Sequence, residues 1–352
     1  MVTAAARLVP LPSQPRDVPW PGRVWPRAGF DPGVDRAELE RLVSGALDGS
    51  SEIGRTNAIL IVHRGSIVLE SYAEGMDATT THRSWSMAKS WLHDMVGIVV
   101  RDGRLDVNAP AVVPEWRAPG DPRGAITLDH LLKMRSGLDF VEDYVESPAG
   151  HRTVIEMLFG EGKDDVAGYA ADCPLAHEPG SVFQYSSGTS NVIARLMAEA
   201  VGGGAEGWLD FMRRELFEPI GATSPAPRFD SAGTWIASSF LFATAQDFAR
   251  LGLLYLRDGV WDGRRLLADG WVDYARTACS RDEEGQAYGA HFWVVPGSLG
   301  IFQAQGFEGQ RTTMVPALDL ILVRLGVTGA DGIDGLNRFM KKLVDCFRVS
   351  GR

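Results

Sequence analysis

Ser86 and Lys89 stand three residues apart in Trp85-Ser86-Met87-Ala88-Lys89-Ser90, at the head of an apolar run that continues to Val100. On a helix, positions i and i+3 share a face, which would set the Ser86 hydroxyl beside the Lys89 amine. The positive end of the helix dipole favours an alkoxide at Ser86 and disfavours an ammonium at Lys89. Both effects move a proton from serine to lysine, so the chemistry implied is nucleophilic catalysis with Ser86 as nucleophile and Lys89 as first proton acceptor. To act as a base, Lys89 must be neutral part of the time. Bringing its pKa from about 10.4 to about 7 requires some 4–5 kcal/mol of differential stabilisation, which burial, the helix N-terminus and a nearby cation can supply. Taken alone the tetrad is weak. With 22 serines and five lysines, such a spacing arises by chance roughly 0.3 times in this length, and an exposed helical Ser and Lys is the bland reading.

A serine nucleophile needs a second proton-handling group and a site for the oxyanion. Tyr185-Ser186-Ser187 follows a turn at Glu178-Pro179-Gly180 and precedes a helical pattern beginning at Ser190. A phenol there, beside an ammonium, would have its pKa lowered and would relay protons; the plainer reading is a packed tyrosine. Gln305-Gly306-Phe307-Glu308-Gly309 lies at an expected strand edge, where glycine lets a substrate approach the backbone, the alternative being a simple bulge. Other signals point away from rival chemistries. Gly202-Gly203-Gly204-Ala205-Glu206-Gly207 fits the dinucleotide fingerprint but follows a helix pattern and not a strand, so it reads as a helix stop. There is no Gly-x-Ser-x-Gly elbow. The seven histidines form no His-x-His or His-Glu-x-x-His pair, so no metal and no cofactor are expected. Glu142, Asp143 and Glu146 read as a solvated acidic loop.

The elements that must position these residues follow from periodicity. Asp35 with Glu38 opens a helix through Leu47, and Asn57–His63, a turn at Arg64-Gly65 and Ser66–Tyr72 make a hairpin. The tetrad helix ends near Asp102-Gly103. Helical patterns then fill the middle of the chain: Thr127–Met134, Thr153–Phe159, Asp164–Ala171, Ser190–Ala200, Trp208–Leu216 and Ala245–Arg257. Extended patterns return at Tyr288–Val295, Ile301–Gln305, Gln310–Val315 and Leu320–Val327, before a last amphipathic helix over Gly335–Arg348. Strands at both ends with helices between imply one sheet closed by the two chain ends, with a helical insertion. Before the first helix, Pro10–Pro32 holds seven prolines with Trp20 and Trp25, an irregular strap whose tryptophans should be buried against the body.

The 352 residues, 45% hydrophobic and 23% charged, suit a globular protein with a sizeable core. A net charge of −10 argues against nucleic acid and anionic membranes as partners. Cys173, Cys279 and Cys346 are widely spaced and odd in number, so they read as reduced. No apolar run reaches membrane-spanning length, and Met1–Val9 lacks the pattern of a signal peptide. A cytoplasmic location is expected.

Ser-x-x-Lys at 86, Tyr-x-Ser at 185 and a Gly-rich strand near 306 occur in the order found in the serine β-lactamase and penicillin-binding protein fold family, and the chain resembles its class C branch. Asp102–Asp106, Leu131–Leu138 and Phe242–Leu251 look like connecting segments of that branch. Within it, Glu142-Asp143-Tyr144-Val145, Phe183–Ser187 and Gly306–Gln310 resemble the 6-aminohexanoate-dimer (nylon-oligomer) hydrolases and related esterases. The resemblance implies an α+β fold: an antiparallel sheet flanked by helices on both faces, plus an all-helical region. Residues 30–80 and 285–352 would form the sheet domain, 81–284 the helical region with Ser86 at the junction, and 1–29 the strap. It further implies that Ser86 is acylated, that Lys89 takes its proton, that Tyr185 shuttles protons with Lys89, and that Ser187 hydrogen-bonds the lysine or substrate. The backbone N–H groups of Ser86 and Phe307 would form the oxyanion hole, with Tyr144 and Gly306 contacting substrate.

Two departures bear on specificity. The second motif is Tyr-x-Ser where many β-lactamases have Tyr-x-Asn, and Ala304 stands where the third motif carries a Lys or His. A β-lactam carboxylate would lose a charge-assisted bond of roughly 1.5–3 kcal/mol. The expected function is a serine hydrolase of small esters or open-chain amides working through an acyl-enzyme. The alternatives are a β-lactamase or DD-peptidase-like activity, and a non-catalytic binding module on the same fold. The oligomeric state is not legible.

Overall fold

The computed structural model describes residues 7–49, 52–144 and 151–348. Ala58–Val62 is apolar at successive positions because both faces of its strand are covered. Ala58, Leu60 and Val62 belong to one buried cluster, Ile59 and Ile61 to another, as a period of two requires. That strand, β1 (Arg55–His63), forms a hairpin with β2 (Ser66–Tyr72). Its turn puts both Arg64 (φ 51°) and Gly65 (φ 78°) in the left-handed region, the mirror-image geometry that matches strand twist.

Six more strands come from the end of the chain: β3 (Ser280–Arg281), β4 (Ala287–Tyr288), β5 (Trp293–Val295), β6 (Ile301–Gly306), β7 (Gln310–Val315) and β8 (Leu320–Val327). They join β1 and β2 in an eight-stranded sheet of order β3-β4-β5-β6-β7-β8-β1-β2, antiparallel throughout. The pairing of β8 with β1 closes the two ends of the chain into one sheet.

Five helices enter the argument: α1 (Arg36–Leu47), α2 (Ala88–Arg101), α3 (Ser187–Val201), α4 (Ala245–Leu256) and α5 (Ile333–Asp345). Helices α1 and α5 cover the outer face of the sheet, their Leu39, Leu42, Leu336 and Leu343 packing with Ile59, Ile61 and Leu322. Helices α2 and α4 cover the inner face, with Trp91, Met95, Phe248 and Leu251 in the larger core. The architecture is α+β: an antiparallel sheet with helices on both faces and a helical region inserted between β2 and β3. Helix α2 is buried from Ala88 through Val99, as a helix apolar on nearly all sides must be. Even so, it carries Lys89, His93 and Asp94 into the interior.

One expected strand is broken. Tyr288–Val295 divides into β4 and β5 around Gly289 and His291. A methyl on Gly289 would lie 1.9 Å from the Ala275 carbonyl oxygen, and His291 takes φ 55°, turning its ring inward to meet the Lys89 carbonyl at 2.8 Å. Before α1 the described chain runs without helix or strand over residues 7–35. Trp25 is buried and Trp20 packs on Trp261 at 5.4 Å, while Arg250 and Arg257 donate to the carbonyls of Gly22 and Pro12. Gly202, at φ 81°, ends α3, as the helix-stop reading requires. No helix among the described residues is long and apolar enough to cross a membrane.

Candidate active site

Ser86 sits in a tight turn, Trp85–Met87, that feeds directly into α2. Helix α2 has no side-chain cap at its start; the preceding turn caps it instead, with the Met87 N–H donating to the Ser84 carbonyl at 3.2 Å and the Ala88 N–H to the Trp85 carbonyl. Trp85 takes φ 46°, a costly conformation for a bulky residue that recurs where function fixes the backbone. Packing enforces it. The Trp85 indole donates to Glu308 Oε2 at 3.0 Å, the Arg83 guanidinium lies 4.7 Å above its ring, and the Phe307 ring meets it edge-on at 5.4 Å.

Lys89 lies one helical turn on, 1% exposed. Its Nζ is 2.9 Å from Ser86 Oγ, 3.0 Å from Ser187 Oγ and 2.9 Å from the Ser238 carbonyl. These are three acceptors for three N–H donors. Burial draws its pKa down to about 8, and the Glu142 carboxylate opposes that shift. The expected nearby cation is not among the causes; burial alone lowers this amine. The Tyr185 ring lies 4.9 Å from Nζ and stacks on Trp293 at 5.5 Å. Here the expectation is reversed. Burial and the Glu142 charge push the Tyr185 phenol up, with a contact to the Ser86 hydroxyl pulling the other way. Tyr185 is therefore held in its protonated form, while burial brings Lys89 nearer to neutrality.

Glu142 is the residue that sequence reasoning misplaced. Its carboxylate is not solvated. It accepts from the Ser187 N–H and the Ser187 hydroxyl, each at 2.6 Å, at the N-terminus of α3, where a negative charge is favoured. Burial raises its pKa, with Lys89 and Ser187 opposing. Ser187 thus accepts from Lys89 and donates to Glu142, linking the two charges. Residues 145–150, Glu146 among them, lie outside the described residues. The Ser238 carbonyl was also missed. It is aimed at Lys89 by a bond from the Ser238 N–H to Asn191 Oδ1 at 3.1 Å, and a backbone oxygen leaves no trace in residue type.

Strand β6 brings the third segment in. A methyl on Gly306 would lie 2.3 Å from the Ser84 carbonyl oxygen, so the close approach this glycine permits is to the protein's own nucleophile turn. That contact sets the Phe307 turn against the Ser86 turn, beside which the two proposed oxyanion donors stand. Tyr144 stacks on Phe307 at 4.8 Å and meets Trp85 edge-on at 6.2 Å, giving the cleft aromatic walls and leaving Ser86 partly exposed. Ala304 is buried on the inner face and offers no charge to this cleft.

The beta-lactamase family model matches residues 46–328, most of the chain. The protein belongs to the beta-lactamase family. It is 26% identical over 288 residues to the 6-aminohexanoate-dimer hydrolase of Paenarthrobacter ureafaciens, covering 77% of this chain and 72% of that enzyme. Among solved structures, a Bacillus anthracis protein with a provisional 6-aminohexanoate-dimer hydrolase assignment superposes with a TM-score of 0.75. That match has 19% identity and covers 99% of this chain and 93% of that one. A family VIII carboxylesterase superposes with a TM-score of 0.64 at 14% identity, covering 91% of this chain and 99% of that one. Hydrolases of this family are thus similar to the chain across its length, and Ser86, Lys89, Tyr185, Ser187, Tyr144, Gly306 and Phe307 lie together through the contacts described.

Proposed function

We propose that this beta-lactamase-family protein is a serine hydrolase that cleaves small esters or open-chain amides through an acyl-enzyme on Ser86. The observation that carries the reading is the buried Lys89 amine, 2.9 Å from Ser86 Oγ with its pKa drawn down to about 8. In its neutral form Lys89 keeps two N–H donors on Ser187 Oγ and the Ser238 carbonyl, which directs the lone pair at Ser86. The Oγ–H proton passes to Nζ as Oγ attacks the substrate carbonyl carbon. The resulting oxyanion is met by the N–H of Ser86, in the turn before α2, and the N–H of Phe307, just after β6. Collapse breaks the bond to the alkoxide or amine, which takes a proton from the Tyr185 phenol. The phenolate is then reprotonated from Lys89. Water repeats the sequence on the acyl-enzyme, with Lys89 again accepting the proton, and releases the acid.

The buried Ala304 supports esters and open-chain amides over β-lactams, because no cation from that position meets a β-lactam carboxylate. The similarity to the 6-aminohexanoate-dimer hydrolase and the carboxylesterase points the same way. The test is a fluorophosphonate probe with intact-mass analysis, together with a panel of p-nitrophenyl esters, a linear amide dimer and nitrocefin. The expected result is one adduct, absent in Ser86→Ala, with ester turnover well above nitrocefin turnover. Comparable nitrocefin turnover would favour a β-lactamase. An unlabelled, inactive protein would leave a binding module on this fold.

A further inference from the structure

On the far side of the sheet from Ser86, a cavity of about 470 Å3 lies between strands β5, β6 and β7 and helix α5, a size suited to a small organic ligand. Strand alternation places Arg311 and Thr313 of β7 on this outer face, since the intervening Thr312 points inward to Met87. Both are deeply buried, Arg311 at 5% and Thr313 at 1% exposure, and both line the cavity. Thr313 Oγ1 has no hydrogen-bond partner. Among the described residues, the Arg311 guanidinium makes one hydrogen bond, from Nη1 to the Gln310 carbonyl at 3.1 Å, and no ion pair. Its cross-strand neighbour on β8 is another buried arginine, Arg324, which lowers the need for a further cation there and supplies no counter-charge.

An arginine cannot relieve burial by losing its proton, and a buried unpaired charge is costly. Fork-shaped donors that face a cavity call for a planar anion. The remaining walls mix apolar side chains, Leu299, Ile301, Met340 and Val344 among them, with the neutral polar Gln303, Gln305 and Asn337. At the rim, Asp345 is already bonded to Lys341 at 2.6 Å and Arg348 at 3.3 Å, so the lining carries three cations against one occupied carboxylate. We propose that this cavity is a second ligand site, which takes a carboxylate with a compact apolar body. The carboxylate pairs with Arg311 and accepts from Thr313, and the apolar body lies under α5. The proposal is independent of the chemistry at Ser86.

The test uses octanoate as probe on the full chain, read by titration calorimetry and by the methyl signal of 13C-labelled Met340. Expected are saturable binding of one octanoate, a shifted Met340 signal, and retention of both in Ser86→Ala. Arg311→Gln should weaken binding about ten- to a hundred-fold, the loss of a charged hydrogen-bond pair, and 1-octanol should bind at least about ten-fold less tightly. Thr313→Val, which keeps shape and charge, should weaken it several-fold and serves if Arg311→Gln does not fold. No saturable binding up to about 10 mM, equal affinity in both variants, or a Met340 signal that does not move would each overturn the site.

Discussion

Lys89 and Arg311 are two buried cations on opposite faces of one sheet, and their surroundings differ in kind. Lys89 has three acceptors for three donors and a carboxylate one serine away. Arg311 has one carbonyl and, among the described residues, no carboxylate. A buried lysine escapes its desolvation cost by releasing a proton, and the released state is the useful one, a base beside a hydroxyl. A guanidinium has no such exit. Burial pulls Arg311 down only to about 10, still cationic at neutral pH, so an anion brought into the cavity would offset its cost. On the proposals made above, the same physical burden serves a base on one face and an anion receptor on the other.

Exchange of the two cation types breaks the comparison hardest. Lys89→Arg keeps the charge and removes the ability to deprotonate, so kcat/KM on p-nitrophenyl esters should fall by about 10^3-fold or more. Circular dichroism checks that the fold remains. Gly306→Ala tests the contact that sets the two halves of the cleft together. A methyl 2.3 Å from the Ser84 carbonyl oxygen must displace the turn, and a shift of that scale should cost about 10^2-fold in kcat.

A finer probe is the pH profile. Since the neutral amine is the working form, kcat/KM should rise as pH passes through about 8. Glu142→Gln removes the charge that holds the Lys89 pKa up, so the rising limb should move to lower pH; a limb that stays put would detach Glu142 from the lysine. A last pair of variants concerns stability on the outer face. Arg311→Met should leave the ligand-free protein as stable as before, or more stable by about 1 kcal/mol. Arg324→Met, which strips five bonds to Thr56 Oγ1 and the carbonyls of Ile53, Arg55, Glu308 and Gly309, should cost about 3 kcal/mol or more. Urea melts of both variants decide it.

Much of the scaffold was legible. Extended patterns marked the strands, the Arg64-Gly65 pair marked the hairpin turn, and the apolar run to Val100 marked the helix behind Ser86. Ser86, Lys89 and Tyr185 were named from spacing and motif order, and they lie together. What failed was electrostatic. Glu142 read as a solvated charge because its local composition is acidic, and nothing in the sequence near 142 indicates that the first turn of a helix beginning at Ser187 will lie against it. The Tyr185 pKa was expected to fall because only the ammonium was counted, whereas the tertiary environment adds burial and a carboxylate. The break at Gly289 was hidden for a similar reason, since the carbonyl it accommodates belongs to Ala275.

Ser86 and Lys89 face each other because three residues on a helix always do; that much the order of amino acids determined without help. Local pattern likewise marked most of the strand segments, since an extended stretch shows either alternation or a short apolar run. Which protonation state each group holds was decided only by the tertiary structure, because a pKa responds to every charge and every displaced water within several ångströms. Those neighbours come from segments as far apart as 86, 142, 187, 238 and 306, and from a second face that the catalytic motifs never mention.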